Sequence, residues 1–337
     1  MSHPRRGAGG RAPSRREWLA LTLGIVASPL AAAAAQTGSA LRRIGLLAQD
    51  LQPGLLETFG DELRQLGWVQ GNDIVIDVQD AAGRSDRLPA LVDELLRRKV
   101  EVIAAVNTPA ARAAKSATTD VPIVIMRVAD PVRAGLIAGL ARPGGNVTGL
   151  NFMPDQFGAK GLELLREIRP GVSRVAAIFR GDNPGAVLVV DETERRSMRI
   201  GFQKFVRFPV RDPRELPAAF EAAGRARTEA IFVMDDGAIT KHRAEILDLA
   251  AQHALPVVSI YKDFAEAGGL VAYGPNLDTV YRRAAHYVDR ILKGARPNDL
   301  PVEQPTKLDI VINLNTARAL HLTVPRSVLL RADHVIQ

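Results

Sequence analysis

Four proline steps stand where apolar runs break off: Gln52-Pro53, Asn107-Thr108-Pro109, Asp130-Pro131 and Asn183-Pro184. Proline lacks the N–H that the first turn of a helix leaves unpaired. Each step therefore predicts a helix N-terminus at the carboxyl end of a strand, with Thr108 as the N-cap of the second. Unpaired N–H groups and the positive end of the helix dipole favour an anion at such a point. One step alone is equally well read as a cap. Four at equivalent positions argue for a binding rim, since a cap does not require proline. The rim would draw Gln49, Asp50, Asn107, Thr108 and Asp130 from the first half of the chain. The second half would add Asp182, Asn183, Asp235, Asp236 and Tyr261, and Tyr273 near a hinge could wall an apolar side chain. These groups accept, donate and stack. The expected ligand is an amino acid or an aromatic carboxylate, its carboxylate at Asn107-Thr108 and any ammonium at Asp130, Asp235 or Asp236.

None of these residues forms a nucleophile–base pair by spacing, and the sequence has no G-x-S-x-G, Walker loop, H-E-x-x-H or G-x-G-x-x-G after a strand. No catalytic residue is expected. Cysteine is absent, which excludes disulfides, thiolate metal sites and an N-terminal lipidated cysteine. The six histidines are scattered without ligand spacing. Asp235-Asp236 could take a metal or an ammonium, but no third ligand is in view. Neither a metal nor a cofactor is expected.

The elements that must position the rim are regular. Apolar, β-branched runs fall at Arg43–Leu47, Asp73–Val78, Val102–Val106, Ile123–Val128 and Asn146–Asn151. Helix-like stretches, Gly54–Leu66, Arg87–Lys99 and Ala110–Ala117, lie between the first four. In the second, Leu88, Leu91, Val92, Leu95 and Leu96 follow i, i+3, i+4 spacing with charges opposite. Continuous apolar strands alternating with helices imply parallel sheets covered on both faces. The pattern repeats with strands at Arg174–Phe179, Phe202–Phe208, Glu229–Met234 and Pro256–Tyr261. Val187–Met198 reads as a helix, Gly268–Asn276 as a connector and Leu277–Leu292 as a strong helix. Lys307–Leu320 supplies one more strand and helix. The fold class is α/β in two lobes, as the length of 337 residues suits.

Residues 1–35 differ in kind. They carry five arginines and one acid, so four of the seven net positive charges lie there, and the remainder is nearly balanced. The basic excess thus gives no argument for nucleic acid. Arg15-Arg16 precede Trp18-Leu19, a mildly apolar stretch and an alanine run. That order predicts a twin-arginine-type signal peptide, removed near Gln36. An uncleaved anchor would be marginal, because 18 alanine-rich residues broken by Pro29 barely span hydrocarbon of about 30 Å. The expected location is periplasmic, without a lipid anchor.

The segments "GDELRQLGWVQGNDIVIDVQ", "GRSDRLPALVDELLRRKVEVIAAVNTPAARAAK" and "DPVRAGLIAGLARPGGNVTGL" resemble the ABC transporter substrate-binding protein family, as does the run from "YKDFAEAGG" to "HLTVP". The resemblance covers nearly all of Leu41 to Gln337. It implies a periplasmic-binding-protein type I (Venus-flytrap) architecture: two Rossmann-like lobes joined by three crossings and closing on a small solute. Lobe 1 would comprise 36–152 and 273–297, and lobe 2 would comprise 153–272 and 298–337. It also implies an ABC permease in the inner membrane as partner. The family's "TPAA" loop falls on Thr108–Ala111 and its "DPV" loop on Asp130–Val132. "FRGDNPGA" and "MDDGAITKHRAEI" depart from the family's common runs, which leaves the ligand open. Two other readings stay open: a periplasmic enzyme with a nucleotide cofactor, and a ligand sensor for a membrane kinase.

Overall fold

A computed structural model describes residues 41–152, 157–234 and 237–337. The predicted leader with Arg15 and Arg16, and the pair Asp235-Asp236, lie outside the described residues. Among the described residues, no helix is long and apolar enough to cross a membrane.

The described residues open with β1 (Arg42–Ala48), α1 (Pro53–Gln65), β2 (Ile74–Asp80), α2 (Leu88–Arg97), β3 (Val102–Val106), α3 (Asn107–Ala117), β4 (Ile123–Ala129) and β5 (Val147–Phe152). These strands form one parallel sheet in the order β2-β1-β3-β4-β5. Every residue of β3, β4 and β5 is buried, whereas edge strand β2 is only partly so. Burial on both faces is what the unbroken apolar runs require.

A second unit follows with α4 (Phe157–Ile168), β6 (Arg174–Arg180), α5 (Pro184–Arg199), β7 (Lys204–Val210), α6 (Leu216–Arg225), β8 (Ala230–Met234), α7 (Gly237–Lys241), α8 (Arg243–Gln252), β9 (Val257–Ser259), α9 (Lys262–Glu266) and β10 (Val271–Pro275). After α10 (Leu277–Leu292) come β11 (Leu308–Asn313), α11 (Leu314–Ala319), α12 (Arg326–Leu329) and β12 (His334–Ile336). The second sheet runs β12-β11-β10-β9-β8-β6-β7, parallel except where β10 meets β11. The ambiguous Val187–Met198 is helical, within α5. Gly268–Asn276 is not a connector but contains β10. Glycine is needed there because a Cβ on Gly274 would lie 2.0 Å from the Ile260 carbonyl oxygen.

Helix α10 follows a strand of the second sheet yet packs on the first, against α1, β3, β4 and β5. Trp68 Nε1 donates to Asp289 at 2.8 Å, and Glu62 receives Arg282 and His286, both at 3.0 Å. The chain then runs beside β5, where Asn151 N–H donates to the Glu303 carbonyl at 2.7 Å, and returns to the second sheet at β11. Among the described residues the chain thus changes sheet three times: after Phe152, after Pro275 and after Glu303. Tyr273 lies on β10 of the second sheet, so the second passage comes after Pro275 rather than at 273. One apolar cluster contains the inner residues of both sheets, and separate clusters fill the outer face of each.

Candidate ligand-binding cleft

The carboxyl ends of β1, β3 and β4 face those of β6, β8 and β9, and the lobes touch there. At the first junction α3 starts at Asn107, two residues ahead of Pro109. Asn107 takes φ 72°, and its Oδ1 accepts the Ala110 N–H at 3.4 Å. Asn107 is therefore the capping side chain, not Thr108 as its neighbour proline suggested. The left-handed backbone is one that asparagine tolerates better than most residues. Across the cleft Asn183 caps α5, accepting from Gly185 N–H at 2.9 Å and Ala186 N–H at 3.4 Å. Thr108 is buried against Gly185: a Cβ there would meet Thr108 Oγ1 at 2.4 Å.

Between these two helix starts lies a cavity of about 20 Å³, walled also by Arg127, Phe152 and Tyr261. Of the predicted site residues, the structure gathers Asn107, Thr108, Asn183 and Tyr261 around it. Tyr261 is 3% exposed and its ring lies 5.7 Å from that of Phe152. Tyr273 stands one layer behind, against Phe157 with centroids 6.2 Å apart, and does not wall this cavity. Asp130 does not wall it either. Its carboxylate accepts Arg133 N–H at 3.0 Å, and Pro131 opens a turn rather than an α-helix. Asp130 thus caps its own loop.

Arg127 was not among the expected residues. It is 7% exposed, with its guanidinium carbon 4.8 Å from the Tyr261 ring centre and Nε donating to the Tyr261 hydroxyl at 3.3 Å. Behind it stands the fully buried Tyr281 of α10, whose ionisation burial pushes up and Arg127 opposes. The readable signal was a lone cation inside "PIVIMRVA".

A second cavity, about 220 Å³, opens farther out between the ends of β1 and β2 and those of β6 and β7. Gln49 and Asp50 belong to this outer part. Gln49 donates to Ser85 Oγ at 2.6 Å and holds the loop after β2. Asp50 is 3% exposed and ion-pairs with Lys241 of the other lobe. Burial raises its pKa, and Lys241 opposes that rise. Arg180 donates across to the Gly83 carbonyl at 3.0 Å, and Gln52 Nε2 to Thr240 Oγ1 at 3.1 Å. These are contacts of a shut cleft. No cluster of three or more His, Asp or Glu suited to a metal occurs among the described residues.

Solved relatives share the two-lobed architecture. A Streptococcus pneumoniae ABC domain solved with L-Trp is 25% identical, with a TM-score of 0.81 over 88% of this chain and all of that one. A ligand-free, open substrate-binding protein of Clostridium difficile is 26% identical over the same shares, but its TM-score is 0.64. The tyrosine-binding protein of Clostridioides difficile is 26% identical over 261 residues, 77% of this chain and 74% of that protein. Two α/β lobes shut on each other at their strand ends, and a match to ABC transporter substrate binding proteins over residues 52–336, place this chain in that family, whose members hand a bound solute to a permease.

Proposed function

We propose that the protein is exported to the periplasm, captures a small carboxylate, either an amino acid or an aromatic acid, and delivers it to an inner-membrane ABC permease without chemical turnover. The observation that carries this reading is the convergence of two capped helix starts, at Asn107 and Asn183, on a cavity walled by buried Arg127. Both helix dipoles and the guanidinium attract a negative group. The tyrosine-binding relative and the L-Trp complex support a ligand of this size.

Thermal shift against amino acids, aromatic acids, sugars and polyamines tests the reading. Ligand at about 100 times its Kd should stabilise the protein by about 2.7 kcal/mol. At about 2–4 °C per kcal/mol, Tm should rise by roughly 5–10 °C. Sugars or polyamines raising Tm while every carboxylate fails would refute it. For export, Arg15-Arg16 changed to Lys-Lys should hold the precursor in the cytoplasm, while the wild type matures near Gln36. Undiminished export of the lysine variant would point to the general secretion route.

A further inference from the structure

We infer that Lys241 licenses closure of the cleft: its ammonium compensates the Asp50 carboxylate, which the approach of α7 buries. Lys241 is thus a positioning residue of solute capture. The inference rests on the lobes closing over a solute and not on that solute being a carboxylate.

Asp50 stands two residues beyond β1, in the first lobe, and α7 belongs to the second. The two segments meet closely. A Cβ on Gly237 would lie 2.6 Å from both the Cβ and the carbonyl oxygen of Asp50, so the approach requires glycine. Residues three and four further along an α-helix return to the same face. On α7 these are Thr240 and Lys241, and each engages the first lobe. Thr240 Oγ1 accepts from Gln52 Nε2 at 3.1 Å, and Lys241 ion-pairs with Asp50. The glycine, threonine and lysine of "GAITK" thus form one helix face fitted to the loop after β1. They fall in the run "MDDGAITKHRAEI", which departs from the family's common pattern.

The two ends of the pair are not equivalent. The Asp50 side chain is 3% exposed, whereas Lys241 keeps 51% of its side chain in water. Removing the lysine charge leaves a carboxylate that closure must bury uncompensated, which is strongly unfavourable. Removing the carboxylate charge leaves an ammonium that stays hydrated. Burial is the largest influence on Asp50, and Lys241 is the largest that opposes it. Asp80 at the end of β2 and Arg180 act more weakly, in opposite senses. Arg180 is itself bidentate to Asp182, at 2.8 and 2.7 Å.

The chain has no cysteine, so one engineered disulfide can report closure with no ligand added. In a parent carrying Thr108→Cys and Gly185→Cys, the two Cβ positions lie 3.1 Å apart when the lobes are shut. That is slightly inside the usual disulfide range of about 3.5–4.5 Å, and the strain is common to every variant. The equilibrium of this disulfide with glutathione measures how readily the lobes meet. Lys241→Met, at a half-exposed position, should fold normally and lower the equilibrium constant at least about 10-fold. Asp50→Asn should lower it less than about 3-fold, and the two changes together should return it to within about 3-fold of the parent. Lys241→Arg should stay near the parent. Asp235 and Asp236, outside the described residues, are unchanged at every corner of this cycle, which therefore isolates the pair. An unchanged constant in Lys241→Met overturns the inference. So does a double variant no better than Lys241→Met alone, since the lysine would then act independently of Asp50. A parent that forms no disulfide in oxidised glutathione also overturns it, because the lobes would not meet in this way. None of these outcomes touches the carboxylate reading, which the ligand screen decides.

Discussion

Gly185→Val should strip the protein of most of its ligand affinity while leaving it as resistant to unfolding as before. Gly185 sits in the first turn of α5, in ordinary backbone, where a side chain suits the helix. What chiefly excludes a side chain is the other lobe, since the cap oxygen Asn183 Oδ1 of its own lobe lies farther off, at 3.2 Å. A Cβ at this position would lie 2.4 Å from Thr108 Oγ1 and 3.1 Å from Thr108 Cβ. The hydroxyl can rotate away, but the Cβ is fixed to α3. Overpacking of this kind costs about 1–3 kcal/mol, and here it falls chiefly on the closed state. Affinity should therefore drop by roughly 5- to 150-fold, since closing draws on the binding energy. The open form escapes Thr108 and gains only a few tenths of a kcal/mol, about 0.3, because β-branched valine is a modest improvement on glycine in a helix. Calorimetry measures the affinity, and small-angle scattering should show a larger radius of gyration that ligand no longer shrinks. Gly185→Ala should show the same effect in smaller measure. Full affinity with normal compaction in Gly185→Val would mean that Thr108 and Gly185 do not meet in the ligand-bound state.

Phe232→Ala should act in the opposite manner, lowering stability by about 3–5 kcal/mol and sparing the affinity of the molecules that remain folded. Phe232 lies in β8, an interior strand of the second sheet, with no exposed surface. Its ring tip fits the space left by Gly158 of α4, where a Cβ would meet it at 2.8 Å. Helix and sheet are therefore held together at this point by a ring filling a gap. Neither β8 nor α4 can collapse freely to fill the hole, because each is fixed by its own hydrogen bonds. Against a typical total of about 5–15 kcal/mol, the loss is severe. Denaturant melts should show it as a lower midpoint, and Tm should fall by about 6–20 °C. A loss below about 1 kcal/mol would show that the site relaxes and that the packing at Gly158 is loose.

The elements were largely legible in the sequence because their periodicities are local. Unbroken apolar runs such as Val102–Val106 can only be strands covered on both faces, and "DRLPALVDELLRRK" carries its buried stripe in its spacing. The polar–proline steps were legible in position, less so in kind. Asn107 and Asn183 became caps at the cleft, Gln52 reached across it to Thr240, and Asp130 closed a turn. The same dipeptide chemistry serves each outcome, and what differs is whether a neighbouring lobe stands opposite. Gly268–Asn276 hid β10 for a related reason. Its glycines read as a loop, whereas Gly274 is demanded by the Ile260 carbonyl of an adjacent segment.

By itself, then, the sequence determined two α/β lobes, the strand ends at which a ligand could sit, and the lack of any spaced catalytic pair. These follow from hydrophobic periodicity and backbone chemistry within some 20 residues. Only the tertiary structure decided that α10 leaves the second sheet to pack on the first, that Asp50 pairs with Lys241, and that Arg127 stands at the cleft wall against Tyr261. Each of those depends on residues tens to hundreds of positions apart, brought together because a lobe can bury its remaining apolar face, and a buried charge can find its partner, only where the chain returns.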